Sequence, residues 1–74
     1  MSRKDYIAVA AGIKQQRADY IAAIQSAKNP SESQSAYAAL CAVGSTAARL
    51  CGVFYSDNPR FDSKRFLEAC GIGS

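Results

Sequence analysis

Residues 57–72 read DNPRFDSKRFLEACGI, and this stretch carries the clearest helix signals in the chain. Asp62 is a typical N-cap, since its side chain can accept a hydrogen bond from a free backbone N–H of the first turn. Phe61 and Phe66 flank the cap at the spacing of a hydrophobic staple. Gly71 suits the left-handed position that follows a helix. The stretch predicts a short helix, which cannot persist alone in water and must pack on the rest of the chain.

Two longer helices precede this stretch. The residue before a proline disfavours the α-helical region, so helix breaks are predicted at Asn29-Pro30 and at Asn58-Pro59. Ser31 or Ser33 can cap the second helix. No segment alternates apolar and polar residues as a strand does. We therefore predict an all-α fold, an antiparallel hairpin of two long helices plus a short third helix across one end. It forms one domain over residues 1–74, with helices over 3–27, 33–56 and 63–70.

An apolar stripe at helical spacing runs along each long helix, and the two stripes form the predicted core. The first helix opens with Ser2 and Asp5 in a capping-box arrangement. Its stripe consists of Tyr6, Ile13, Tyr20 and Ile24, flanked by Val9, Ala10 and Ile21. The stripe of the second helix consists of Leu40, Val43, Ala47, Leu50, Cys51 and Phe54, with Tyr37 and Tyr55 on one edge.

The three cysteines, Cys41, Cys51 and Cys70, are an odd number that cannot pair fully within one chain of 74 residues. The charged opening over residues 2–5 is not typical of a secretory signal. We therefore expect a cytoplasmic protein whose cysteines are reduced and buried as small hydrophobic residues. With no histidine and no C-x-x-C pair, we expect no metal and no cofactor. Oligomerisation remains as a source of stability for so small a chain.

The composition also argues against several classes of function. General acid–base catalysis near neutral pH most often uses histidine, and the acidic residues are scattered, so we expect no enzyme. The net charge of +3 and the pI near 8.9 are mild for a nucleic-acid binder. Residues 33–48 are poor in charge, but they are rich in Ala, Ser, Thr and Gly rather than Leu and Ile, and Arg49 follows. We therefore expect no membrane span.

The second helix carries unusually little charge on its nominal solvent face. That face consists of Ala38, Ala42, Ser45, Arg49 and Ser56. Small residues at four-residue spacing, as in Gly44, Ala48 and Gly52, let helix backbones approach closely. One interpretation is that the other two helices cover this surface. The favoured interpretation is a self-association surface, with Tyr37, Gly44, Ala48, Arg49 and Tyr55 as candidate interaction residues.

Arg17 is placed by its helical angle in the middle of the first helix's apolar stripe. The favoured interpretation is that its stem packs while its head reaches water or an acid such as Asp57 or Glu68. The alternative is that Arg17 and Tyr20 belong to a site for a partner or an anionic ligand, because Arg and Tyr are frequent in binding hot spots.

Three basic residues cluster around the start of the third helix, namely Arg60, Lys64 and Arg65. The positive end of the helix adds to their field, so an anion such as phosphate could bind there. The favoured interpretation is a solvated face that Asp62 and Glu68 partly neutralise.

Residues 57–71 and the opening SRKDYIA of residues 2–8 together resemble small proteins encoded by tailed phages and prophages. Those chains begin with a similar charged stretch before a tyrosine. They end on an Asn-Pro-Arg-Phe-Asp…Arg-Phe…Ala-Cys pattern. The resemblance covers both ends of the chain and supplies an origin but no catalytic residues. It implies expression inside an infected bacterium, where small phage proteins often act by occupying a host protein, including a defence component.

The leading hypothesis is a phage-derived helical interaction protein that forms homo-oligomers and binds and inhibits or modulates a bacterial host protein. The alternative is a binder of an anionic ligand, either nucleic acid or a small nucleotide. That ligand would be held by the basic residues near the third helix or between protomers. Salt dependence separates the two, because nucleic-acid binding weakens steeply with salt.

Overall fold

The computed structural model describes residues 2–72, and these residues fold into three helices. They are α1 (Arg3–Gln25), α2 (Pro30–Asp57) and α3 (Ser63–Ala69). Every pair of these helices is in contact, and the described residues contain no strand. The molecule measures 44 × 19 × 18 Å. Its long dimension is therefore close to the length of α2, about 42 Å. The predicted all-α class is confirmed.

The start of α2 differs from the sequence-based prediction. The helix begins at Pro30 rather than at residue 33, and its N-cap is Asn29 instead of Ser31 or Ser33. Proline is favoured at the first helical position, where its missing N–H is not needed. It also holds the preceding residue in an extended conformation, which is what an N-cap requires. The Oδ1 atom of Asn29 accepts a hydrogen bond of 2.9 Å from the backbone N–H of Glu32.

The local signals around α3 are present as hydrogen bonds. Asp62 Oδ1 accepts a hydrogen bond of 3.1 Å from the backbone N–H of Arg65. Gly71 has a φ of +80°, the left-handed conformation that glycine adopts without strain. The N–H of Ile72 donates to the carbonyl of Leu67 at 2.9 Å, and the N–H of Gly71 donates to that of Glu68 at 3.0 Å. These two bonds are those of a Schellman motif, so residue 71 ends α3 as its sequence predicts.

The core lies where α3 packs on the two long helices. Four aromatic rings meet there, from Tyr6, Phe54, Phe61 and Phe66, and neighbouring centroids are 4.8–5.5 Å apart in tilted or edge-on geometry. Such pairs add to the stabilisation from burial itself. The fully buried small residues of the cluster, which allow close packing of the helices, are Ala10, Ala47 and Cys70.

Away from this cluster the chain covers little of its own surface. No residue from position 11 to position 42 is buried. In α2, the buried residues are Val43, Ala47, Cys51 and Phe54, which are members of the predicted core stripe. Much of the apolar surface of both long helices is therefore open to solvent in a single chain.

The cysteines fall into two environments. Cys51 and Cys70 are buried, as expected, but Cys41 is exposed. The expectation that all three serve as buried hydrophobic residues is corrected for Cys41. Cys41 precedes Val43 by two residues and Ala47 by six, so it lies about 160° and 120° away from them around the helix axis.

Candidate functional site

A second row of small and aromatic residues runs along α2 beside the buried stripe. Its members follow one another at spacings of three or four residues, so they share one helix face. They are Tyr37, Cys41, Gly44, Ala48, Gly52 and Tyr55. We call this row the small-residue stripe. None of the six is charged, all except Gly44 are exposed, and the two tyrosines at its ends are 61% and 55% exposed.

The two glycines of the small-residue stripe have no packing role within the described chain. A Cβ atom added at Gly44 or Gly52 would meet no atom within 4 Å apart from the local helix backbone. The same is true of Gly12 in α1. A glycine inside a helix costs about 1 kcal/mol relative to alanine. Among residues 2–72, no contact at Gly44 or Gly52 offsets this cost.

The other candidate residues of the long helices are placed apart from the small-residue stripe. Arg49 is exposed but follows Ala48 directly, so it projects about 100° away from the stripe around the helix axis. Tyr20 lines a shallow cavity of about 260 Å³ between α1 and α2, together with Ala39 and Val43. The structure therefore brings Tyr37, Gly44, Ala48 and Tyr55 onto one face, but not Arg49 or Tyr20.

Arg17 has a partner within the chain. Its Nη1 atom donates a hydrogen bond of 2.6 Å to the carbonyl oxygen of Gly71. The sequence predicts that its head reaches water or an acid such as Asp57 or Glu68, and the structure shows a hydrogen bond to a backbone carbonyl beyond the end of α3. The guanidinium thus holds the C-terminal residues against α1.

A larger cavity, of about 480 Å³, opens between the first turns of α1, the link that follows α2, and α3. Arg60 and Arg65 line it, whereas Lys64 does not. Arg3 and Tyr6 line it as well. Sequence reasoning missed these last two as site residues, because only the tertiary fold brings the start of α1 next to α3.

The hydroxyl of Tyr6 is buried and has no hydrogen-bond partner among the described residues. Buried polar groups without partners are rare in folded proteins, so this one calls for an explanation. The ring of Tyr6 lies in the aromatic cluster, with its centroid 4.8 Å from that of Phe61.

Two titratable groups outside these surfaces have shifted pKa values. Burial raises the pKa of the Cys70 thiol, with a smaller contribution from Cys51, while Arg17 acts in the opposite direction. The hydrogen bond from the backbone N–H of Ser2 lowers the pKa of Asp5. Among residues 2–72 there is no cluster of His, Cys, Asp or Glu that could hold a metal ion.

By its length and composition, α2 is apolar enough to cross a membrane. A window of 18 of its residues has a mean hydropathy of 1.4, and 22% of that window is buried inside the molecule.

In comparisons with known proteins, no family model, no curated protein and no solved structure matches the chain.

Proposed function

We propose that the protein is a helical protein–protein interaction module that acts by binding, and that a second copy of the chain covers α2. In this proposal α1 and α2 form an antiparallel hairpin. Contacts at two levels support that direction. Tyr6, near the start of α1, packs on Phe54, near the end of α2. Tyr20, further along α1, shares a cavity with Ala39, which comes earlier in α2.

The observation that carries the proposal is the small-residue stripe, an uncharged and largely exposed face on the longest helix. An exposed helix face normally carries several charged residues. Here the ends are tyrosines, which supply apolar area together with a polar group. Between them lie two glycines that have no packing role among the described residues. Its surface is built from small residues rather than Leu and Ile, which favours a close helix contact over a lipid contact.

A second copy is the proposed occupant because four of the six residues of the small-residue stripe are placed symmetrically about position 46. Gly44 and Ala48 lie equally far from this point, and so do Tyr37 and Tyr55. When two such helices cross antiparallel at position 46, Gly44 meets the partner's Ala48 at the centre. Tyr37 then meets the partner's Tyr55 at both ends, about 27 Å apart. A self-complementary surface of this kind is what a two-fold dimer requires.

The proposed cellular role is to bind and inhibit or modulate a bacterial host protein, in the cytoplasm of an infected cell. The phage-like motifs in residues 2–8 and 57–71 support this origin, and the uncovered surface between positions 11 and 42 gives a partner room to bind. Affinity capture from bacterial lysate, compared between wild type and a variant of the open surface such as Tyr20→Ala, tests this role. Recovery of the same host protein by both would argue against that surface.

Disulfide cross-linking tests the proposed register. In an antiparallel pair the two Cys41 residues lie about 15 Å apart along the axis, beyond the reach of a disulfide. In this register Cys41 of one copy lies level with Cys51 of the other, which is buried, and about 1.5 Å along the axis from position 52. The wild type should therefore stay uncross-linked on mild oxidation, and the Gly52→Cys variant should form a covalent dimer. Adding Cys41→Ser to that variant should abolish the cross-link. A covalent wild-type dimer through Cys41 would indicate a parallel pair instead.

A further inference from the structure

The 480 Å³ cavity between the start of α1 and α3 lies apart from the small-residue stripe and is not used by the proposed self-association. Its volume is in the range typical of small-molecule sites. We infer that this cavity binds a small anionic molecule, a phosphate ester joined to a flat aromatic group. The inference does not depend on the proposed dimer, since all the residues that carry it come from one chain.

Positive charge converges on the cavity from three separate segments. Arg3 comes from the first turn of α1, Arg60 from the link after α2, and Arg65 from α3. Among the described lining residues, Asp62 is the acidic one, and its Oδ1 atom already accepts the backbone N–H of Arg65. Three guanidinium groups against one carboxylate leave the cavity positive. Arginine is the side chain best suited to hold a phosphate, because its planar fork binds two oxygens at once.

The cavity wall also contains three aromatic residues and a polar group without a hydrogen-bond partner among the described residues. Tyr6, Phe61 and Phe66 line it, which suits a flat apolar group. The hydroxyl of Tyr6 is buried and without a hydrogen-bond partner in the described chain. Because this hydroxyl has almost no accessible surface, a ligand oxygen can accept its hydrogen bond only when the Tyr6 side chain turns toward the cavity. If the basic residues formed only a solvated face, the buried hydroxyl of Tyr6 would stay unexplained.

The site is tested by calorimetric titration of the reduced protein with phenyl phosphate, inorganic phosphate and phenol. Phenyl phosphate should bind most tightly, inorganic phosphate more weakly, and phenol without measurable heat. Equal affinity for phenyl phosphate and inorganic phosphate would overturn the aromatic part of the inference. The absence of binding by phenyl phosphate at millimolar concentration would overturn the inference as a whole.

Two neighbouring basic residues of α3 provide a matched pair of variants. Arg65→Gln should weaken phenyl phosphate binding at least about tenfold, because a charge-assisted hydrogen bond is lost. Lys64→Gln removes the same charge beside the cavity and should leave the affinity unchanged within about twofold. Tyr6→Phe keeps the ring and should also weaken binding. Equal losses in Arg65→Gln and Lys64→Gln would mean diffuse electrostatic attraction, and the assigned site would then be wrong.

Discussion

The guanidinium Nη1 of Arg17 and the carbonyl oxygen of Gly71 are 2.6 Å apart, in a hydrogen bond that joins the middle of α1 to the residue that ends α3. A Cβ atom at position 71 would lie 3.4 Å from the same Nη1 atom. That distance is an ordinary contact, so the requirement for glycine at this position comes from its φ of +80°. The hydrogen bond fixes a helix of seven residues that has no stability of its own.

Removing the donor of this contact should destabilise the fold. Arg17→Met keeps much of the apolar stem and deletes the guanidinium, so it should lower the free energy of unfolding by about 1–2 kcal/mol. Urea denaturation followed by circular dichroism measures this change. An unchanged midpoint would show that the hydrogen bond contributes nothing in solution.

Two glycine-to-alanine substitutions should have opposite signs. Gly71→Ala should destabilise by about 1–2 kcal/mol, because an L-residue resists the left-handed conformation. Gly12→Ala should stabilise by about 1 kcal/mol, because the position is helical and a methyl group there meets no atom within 4 Å. Thermal melts of both variants under the same conditions provide the comparison. A change of the melting temperature in the same direction for both variants would contradict this account.

The aromatic cluster should provide most of the free energy that holds α3 on the two long helices. Phe66 is 4% exposed, and its ring centroid lies 5.5 Å from those of both Phe54 and Phe61. Phe66→Ala should therefore cost about 3–5 kcal/mol, which can unfold a domain of this size. Asp62→Ala removes only the cap and should cost about 1 kcal/mol. If both variants melt alike, the ring is not the main attachment of α3.

The three cysteines should differ in reactivity and in their effect on pH dependence. Cys41 should react with an alkylating reagent in the native protein, whereas Cys51 and Cys70 should react only on unfolding, because they are buried.

The pKa of Cys70 is raised by burial, so the stability that its neutral thiol contributes is present below its ordinary pKa of 9.0. That contribution is lost as the pH rises through the raised value.

This effect is isolated by comparison with Cys70→Ala. The wild type should lose more unfolding free energy than this variant between pH 8 and alkaline pH, in denaturant melts under reducing conditions. The groups common to both proteins cancel in the difference. Parallel pH profiles would mean that the thiol is not desolvated in the native state.

The local features of the fold and the buried stripe of α2 could be predicted from sequence, whereas the individual contacts between distant segments could not. The cap at Asp62 and the glycine that ends α3 depend on neighbouring residues alone, so the predicted and observed features agree. The sequence-based prediction places the start of α2 too late, because the restriction that Pro30 imposes on Asn29 breaks one helix and also makes Asn29 a good N-cap for the next.

The candidate sites also depend on contacts between distant parts of the chain, which the sequence does not predict. The composition of α2 predicted its neutral surface, but how much of that surface is exposed depends on how little of it α1 and α3 cover. The partner of Arg17 and the approach of Arg3 to α3 both bridge distant parts of the chain. No local pattern encodes contacts at that separation, and helical periodicity placed Arg17 only on a face.

The molar mass of the reduced protein in solution tests the central claim, that the small-residue stripe of α2 binds a second copy. Light scattering at micromolar concentration should give a mass above the 7.9 kDa of one chain. Ala48→Leu should return it to 7.9 kDa with helicity preserved, since a larger side chain blocks close helix approach. Ala42→Leu, at a position that is also exposed but projects about 120° away from Ala48 around the helix axis, should keep the wild-type mass. A wild-type mass of 7.9 kDa at every concentration measured would contradict the claim.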